Sequence, residues 1–253
     1  MKSNFNKWER EDAEFFPKRK VNNKSSYIFH HVIGCFYSDL MKITVDYESL
    51  GENTFCSILE MDKHVLRYYV QPVEVKIPYI DNNGMRGFWT HVPDILVFRQ
   101  NERPHLYQIK GGKNEEIELS TKISNILSTC SKYSHNRGWK FSISHPKKLS
   151  LVKASNVKFL IGFTKPRKGF EILIPKLVAK LEQDRESSIN ALARDLDYGS
   201  NYLEVLPAIY HLIATSIFEI DFNKPINLSS RVRIFDENNY MNLLLEEGVA
   251  DEV

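Results

Sequence analysis

Residues 91–110 read HVPDILVFRQNERPHLYQIK. Two apolar runs, Ile95 to Phe98 and Leu106 to Ile109, flank RQNERP, which predicts a hairpin of two antiparallel strands. Asp94 opens the first strand. Gln108 and Lys110 lie two apart on the second, so strand alternation puts both on one face and turns Ile109 into the core. Antiparallel pairing can bring Asp94 beside them. A carboxylate, an amide oxygen and a lysine converging at a strand end can bind Mg²⁺ and orient water at a phosphodiester. The bland alternative is an ordinary polar hairpin, because Pro-Asp at a strand start is common.

Working towards the N-terminus, Val65 to Pro78 reads as one extended segment rich in Val. Asp81-Asn82-Asn83-Gly84 is a strong turn signal that joins it to Phe88 to Val92 as a second hairpin. In Tyr47 to Lys63, Phe55, Ile58, Leu59 and Asp62 follow a helical rhythm, with Glu48 near the start and Gly51 weakening it locally. The stretch Tyr27 to Phe36 leads into a strand, and the first 44 residues, with the basic cluster Lys18, Arg19 and Lys20, form an arm. Towards the C-terminus, Glu115 to Tyr133 has helical spacing. Strands are expected at WKFSIS, residues 139–144, and near Val157 to Phe163. Helices and strands in this order suit an α/β sheet with helices against its faces.

The composition changes at TKPRKG, residues 164–169. Helices are expected at Phe170 to Gln183, Ser187 to Leu196 and Tyr202 to Thr215, where Pro207 is tolerable only in a first turn or at a kink. With the DYGSN turn and IFEIDFNKPINLSSRVRI, they suggest a small winged-helix-like, α-rich domain. The expected organisation is an arm over 1–44, a catalytic domain over 45–166, and a C-terminal domain with an acidic tail over 167–253.

Composition narrows the class. The chain has 253 residues, 42% hydrophobic and 26% charged, which is ordinary globular material. No apolar run approaches the roughly 20 residues of a membrane span, and the N-terminus does not read as a secretory signal. The expected location is the cytoplasm. Cys35, Cys56 and Cys130 form no CxxC pair and are expected to be reduced and buried. The histidines show no HExxH pattern. The net charge of +2 hides a segregation: Lys132 to Lys168 carries ten Lys or Arg and no acid, whereas Phe235 to Val253 carries six acids and no Lys or Arg. A basic body of that kind attracts a polyanion, although a solvated lysine-rich face would look the same. Lys18, Arg19, Lys20, Arg137, Lys140, Lys147 and Lys148 are the candidate DNA contacts. Trp89 and Trp139 are read as core residues, not base-stacking platforms.

Asp94, Gln108 and Lys110 resemble the PD...(D/E)xK pattern of restriction-endonuclease-like nucleases, with Gln in place of the second acid. The run YESLGENTFCSILEMDKHVLRYYVQPVEV, then the hairpin, VPDILV, YQIK, a helix and WKFSIS, resembles the N-terminal domain of the TnsA endonuclease family over roughly residues 45–165. The resemblance implies a mixed sheet flanked by helices. It places the catalytic glutamate at Glu52 and the metal-site aspartate at Asp94, with Gln108 and Lys110 as the Gln-x-Lys pair. Glu52, Asp94 and Gln108 would hold Mg²⁺ as two ions, with Mn²⁺ able to substitute. Glu60 is the rival helical acid, eight residues or 800° of turn from Glu52, which leaves it about 80° around the helix. Gly51 departs from the bulkier residue expected before the glutamate.

The resemblance also implies a role, in which TnsA enzymes cut the 5′ ends of Tn-seven-like transposons. A TnsB-like DDE transposase cuts and joins the 3′ ends, and a TnsC-like AAA+ regulator controls the assembly. Two alternatives stay open: a stand-alone restriction or repair nuclease, and a nuclease-fold DNA-binding regulatory subunit.

Overall fold

A computed structural model describes residues 7–20, 32–81, 83–110, 121–146, 149–196, 202–235 and 249–250. Contacts divide the chain into two compact units: Met1–Asn53, His64–Lys147 and Gly248–Val253 in one, Thr54–Lys63 and Lys148–Glu247 in the other. These limits differ from the three expected segments. They merge the arm with the sheet, begin the second unit at residue 148, and return the last six residues to the first unit.

The first unit is built on strands. A short helix, α1 (Glu9–Glu14), is followed by the hairpin β1 (Gly34–Ser38) and β2 (Ile43–Tyr47) and by the start of α2 (Leu50–Met61). Then come β3 (Val65–Val70), the hairpin β4 (Val75–Ile80) and β5 (Arg86–His91), β6 (Ile95–Arg99), β7 (His105–Ile109), helix α3 (Thr121–Asn136) and β8 (Lys140–Ser144). Near the C-terminus, β12 (Val249–Ala250) pairs with β8. The central five-stranded sheet has the order β12-β8-β7-β6-β3, with β7 and β8 parallel and the other pairs antiparallel. This is a mixed sheet, and α3 packs against β8 and β4. Ile95, Leu96, Val97 and Leu106 are fully buried, which explains why both apolar runs were conspicuous in the sequence.

Several expectations need correction. The single extended segment expected from Val65 to Pro78 is two strands in different sheets. Gln71 takes a left-handed φ of 49° and Pro72 has no N–H to donate, so the ladder cannot continue through them. Cys35 is exposed, unlike Cys56 and Cys130, because β1 and β2 form a separate two-stranded ribbon. Over its described residues 7–20 the arm packs against the sheet. Phe15 is buried against Tyr69, Phe98 and Trp139, and Asp12 pairs with Arg67 at 2.5 Å and accepts from the Tyr69 hydroxyl at 2.8 Å.

The second unit is mostly helical: the remainder of α2, α4 (Leu151–Leu160), α5 (Phe170–Asp184), β9 (Glu186–Ser188), α6 (Ile189–Asp195), α7 (Leu206–Ala214), β10 (Phe218–Ile220) and β11 (Arg231–Ile234). The strands form an antiparallel sheet of order β10-β11-β9. Ser188 caps α6 by accepting from the Ala191 N–H at 3.1 Å. Pro207 lies in the first turn of α7, where its missing N–H costs nothing. The DYGSN turn and most of the acidic tail lie outside the described residues.

The strand expected near Val157 to Phe163 is instead the end of α4 followed by a 3-10 turn over Ile161–Phe163. Ser150 starts this helix, its hydroxyl accepting from the Lys153 N–H at 3.2 Å. The inward positions are Lys153, Asn156, Val157 and Leu160, so two polar residues hide the helical rhythm. Asn156 is buried for a reason: its amide donates to the carbonyls of Phe222 (3.1 Å) and Lys224 (2.9 Å) and accepts from the Ile226 N–H (3.2 Å). Asn156→Ala should lower stability by about 2–3 kcal/mol by stranding these groups, a loss readable in urea unfolding. A change under about 0.5 kcal/mol would show that the loop finds other partners.

Candidate active site

The β6–β7 pairing sets the geometry. Ile95 faces Tyr107 and Leu96 faces Leu106 across the ladder. One step outward, the Asp94 N–H donates to the Tyr107 carbonyl at 3.1 Å, and the Asp94 carbonyl accepts from the Gln71 N–H at 2.7 Å. Asp94 is therefore held by its backbone from both sides. Its Oδ2 accepts from the Ile109 N–H at 2.6 Å and from the Gln108 side-chain amide. Among the described residues no donor reaches Oδ1.

Gln108 is 7% exposed and bridges two groups: its Nε2 meets Asp94, and its Oε1 lies 2.8 Å from His91 Nε2. With Oε1 accepting, the His91 proton sits on Nε2. Burial lowers the His91 pKa, the Lys110 and Arg19 charges push the same way, and the Gln108 bond opposes them. His91 is neutral at physiological pH as a result. Lys110 continues the alternation from Gln108, and its N–H bonds the Ser144 carbonyl at 2.9 Å beside the parallel β8 strand. Its ammonium makes no ion pair among the described residues.

Glu52 enters from the first turn of α2. The Ser49 hydroxyl accepts from the Glu52 N–H and donates to Glu52 Oε1, both at 3.1 Å, while the Glu48 N–H donates to Glu52 Oε2 at 2.9 Å. This is close to a capping box, with Glu52 as the acid at the third helical position. A methyl group on Gly51 would lie 3.5 Å from Ile109 Cγ2, so the helix start rests against the end of β7. Burial raises the Glu52 pKa.

Electrostatics ties the pieces together. The Asp94 pKa is pushed up to about 8, chiefly by burial and next by the Glu52 charge, while the Ile109 N–H, Lys110 and Arg19 pull it down. Glu52 is thus a helical acid whose charge acts on Asp94. Two carboxylates and an amide oxygen form a hard-oxygen donor set, and the surrounding cations leave Asp94 short of positive charge. A divalent cation fits that deficit. Among the described residues there is no cluster of three or more His, Cys, Asp or Glu that could hold a metal. Glu52, Asp94 and the Gln108 side-chain oxygen are the described oxygen donors that could hold a metal here.

The candidate DNA contacts fare unevenly. Lys18 Nζ donates to the Glu14 carbonyl at 2.7 Å. Arg137 pairs with Glu14 at 2.9 Å and lies over the Trp139 ring at 4.9 Å, and Lys140 pairs with Glu102 at 3.3 Å. Such exposed pairs contribute at most about 1 kcal/mol and exchange readily for phosphate. Lys20 is exposed, and Lys147 and Lys148 lie outside the described residues. Trp139 packs edge-on against Phe15 and Tyr133 but is only half-buried. Sequence reasoning missed His91 and the place of Arg19 beside the carboxylates. Alternation from Trp89 along β5 could have flagged His91, three residues before Asp94. Nothing local could have placed Arg19.

Comparison with known families returns two matches. A family model described as TnsA-like endonuclease N terminal matches residues 62–145, and one described as TnsA endonuclease C terminal matches residues 150–222. Together they cover more than half of the chain. Asp94, Gln108 and Lys110 fall inside the first match, whereas Glu52 precedes it. No curated protein matches the chain significantly.

Proposed function

The chain belongs to the TnsA endonuclease family, and from that premise we propose that it is the metal-dependent endonuclease subunit of a Tn-seven-like transposase, hydrolysing phosphodiester bonds at the transposon 5′ ends. The mixed sheet flanked by helices is consistent with the restriction-endonuclease-like fold. The observation that carries the reading is Asp94, crowded by Glu52 and bridged to Gln108 at the end of β7.

Asp94, through Oδ1, would hold the metal together with Glu52 and the Gln108 oxygen. Glu52 need not abandon its cap to do so, because each oxygen accepts one hydrogen bond and has a second lone pair. Gln108 now presents its nitrogen to Asp94. A neutral His91 can accept as well as donate, so the amide can turn its oxygen towards the carboxylates. Bound Mg²⁺, as two ions with Mn²⁺ able to substitute, would supply the Lewis-acid charge that activates water and offsets charge on the leaving oxygen. Lys110 would orient the attacking water and neutralise charge developing on the phosphate. Gln108 carries no charge, so the site should hold metal more weakly than three carboxylates would, with a DNA phosphate completing it.

The second unit supports a winged-helix reading by its order α5-β9-α6-α7-β10-β11 and its β10-β11-β9 sheet. Its third helix is unsuited to a DNA groove, however. Ala208, Ile209, His211, Leu212, Ile213 and Ala214 of α7 are buried, and the helix contains no Lys or Arg. Contact with a TnsC-like AAA+ regulator suits this unit better than base reading. The basic residues of Lys132 to Lys168 would supply phosphate contacts. No described helix is long and apolar enough to cross a membrane, and we place the reaction on DNA in the cytoplasm.

The test is to map cuts on a plasmid carrying transposon ends, with the chain alone and with TnsB-like and TnsC-like partners. Cuts confined to the 5′ ends and requiring the partners are expected. Efficient cutting elsewhere by the chain alone would point to a stand-alone nuclease. DNA binding without cutting under any condition would leave a regulatory subunit.

A further inference from the structure

Arg19 belongs to the basic cluster of the arm, which the sequence offered only as a candidate DNA contact with no place in the fold. Two independent chains of hydrogen bonds seat it at the active site. The Lys18 N–H donates to the Gln71 carbonyl at 2.9 Å, and the Gln71 N–H donates to the Asp94 carbonyl at 2.7 Å, so the arm is one residue removed from the strand end that carries Asp94. On the other side, Arg19 Nη2 pairs with Glu48 Oε2 at 2.6 Å, and the Glu48 N–H donates to Glu52 Oε2 at 2.9 Å. Gln71 is fixed in a left-handed backbone (φ 49°), which few side-chain-bearing residues adopt, so this junction is a defined one.

The side chain is built to accept an anion. It is 47% exposed, yet its charge acts on Glu52, Asp94 and His91. Only one of the five guanidinium N–H donors has a partner among the described residues, and that partner is the partly exposed carboxylate of Glu48. A planar fork with free donors matches a phosphate in bidentate fashion, and an exposed Arg–Glu pair is weak enough to be displaced.

Resting on the nuclease reading above, we propose that Arg19 is a substrate-binding residue of the active site, which releases Glu48 and clamps a DNA backbone phosphate adjacent to the scissile bond. Glu48 is then a placeholder that holds the guanidinium in position until DNA arrives. The clamp would fix the scissile phosphate against Asp94 and Lys110, which is the kind of positioning that separates productive from non-productive binding.

The test uses the full chain and a fluorescein-labelled DNA duplex, with affinity measured over a range of KCl concentrations in EDTA, and cleavage measured separately with Mg²⁺. Arg19→Ala is expected to weaken binding by about tenfold to a hundredfold and to make the slope of log K against log salt shallower by about 0.9, the loss of one phosphate contact. Arg19→Lys should restore the slope but only part of kcat/KM, since an ammonium cannot make the bidentate contact. Glu48→Gln, which leaves the Glu48 N–H bond to Glu52 in place, should tighten binding. A wild-type slope and wild-type kcat/KM in Arg19→Ala would overturn the proposal. If Arg19→Ala does not fold, Glu48→Gln decides: tighter binding supports the clamp and unchanged binding overturns it. Because binding is read without cleavage, a chain that never cuts DNA would fail the nuclease reading while the slope still judges Arg19.

Discussion

Asp94→Asn should cost at least about a thousandfold in cleavage rate, equivalent to the several kcal/mol a metal-held oxygen contributes, and yet make the metal-free protein more stable above neutral pH. The sign follows from the raised pKa. An unfolded Asp ionises near about 3.9, whereas folded Asp94 ionises near about 8. The folded state therefore binds the proton more tightly. Below pH ~4 both states are protonated and the group contributes no pH dependence. Between about 4 and 8 the wild type loses stability as pH rises, because the unfolded chain gives up its proton first. Asparagine keeps the shape, can still accept from the Ile109 N–H, and has no charge to desolvate. The gain at pH 8 should be on the order of a few kcal/mol, visible as a raised Tm in EDTA that disappears near pH 4. Added Mg²⁺ should stabilise the wild type more than the variant. An Asp94→Asn protein less stable than wild type at pH 8 would mean that the carboxylate is not crowded as described.

The second large effect separates the two helical acids. Glu52→Gln should lose about a hundredfold or more in cleavage, comparable to losing one group aimed at developing charge, while keeping its stability, because Gln serves as well as Glu in a capping box. Glu60→Gln should cleave like the wild type. Glu52→Ala should add a stability loss of about 1 kcal/mol from the broken cap. The distinction matters because Glu52 precedes the matched family segment, so its assignment rests on the capping geometry and on its charge acting at Asp94. If Glu60→Gln were the inactive protein, the assignment of Glu52 as the helical acid would be overturned.

What could be read from the sequence were features whose cause is local. The DNNG turn, the continuous apolar runs of β6 and β7 and the spacing of Gln108 and Lys110 depend on local composition, strand periodicity and turn chemistry alone, and the structure has all of them. The start of α2 carries a capping signature, Ser49 with Glu52, that the placing of Glu48 near the start did not use. Where the reading fell short, the deciding interactions are distant in sequence. Asn156 is buried by partners 66 and 68 residues away, so α4 looked like a strand. Residues 7–20 of the arm are anchored by Asp12 meeting Arg67 and Phe15 meeting Tyr69, Phe98 and Trp139, none of which leaves a local pattern. The pairing of residues 249–250 with β8 is a backbone event with no side-chain signature. At the site, alternation could align Gln108 with Lys110, but only the fold could bring His91, Arg19 and the α2 N-terminus to the same strand end.

The most direct measurement is cleavage of supercoiled plasmid carrying transposon ends, in Mg²⁺ and in EDTA, with the TnsB-like and TnsC-like partners present, by the wild type, Asp94→Ala and Lys110→Ala. The account predicts 5′-end cleavage by the wild type in Mg²⁺ only, and none by either variant although both still bind DNA. Cleavage that persists in Asp94→Ala and Lys110→Ala, or that proceeds unchanged in EDTA, would contradict the assignment of this strand end as the catalytic centre.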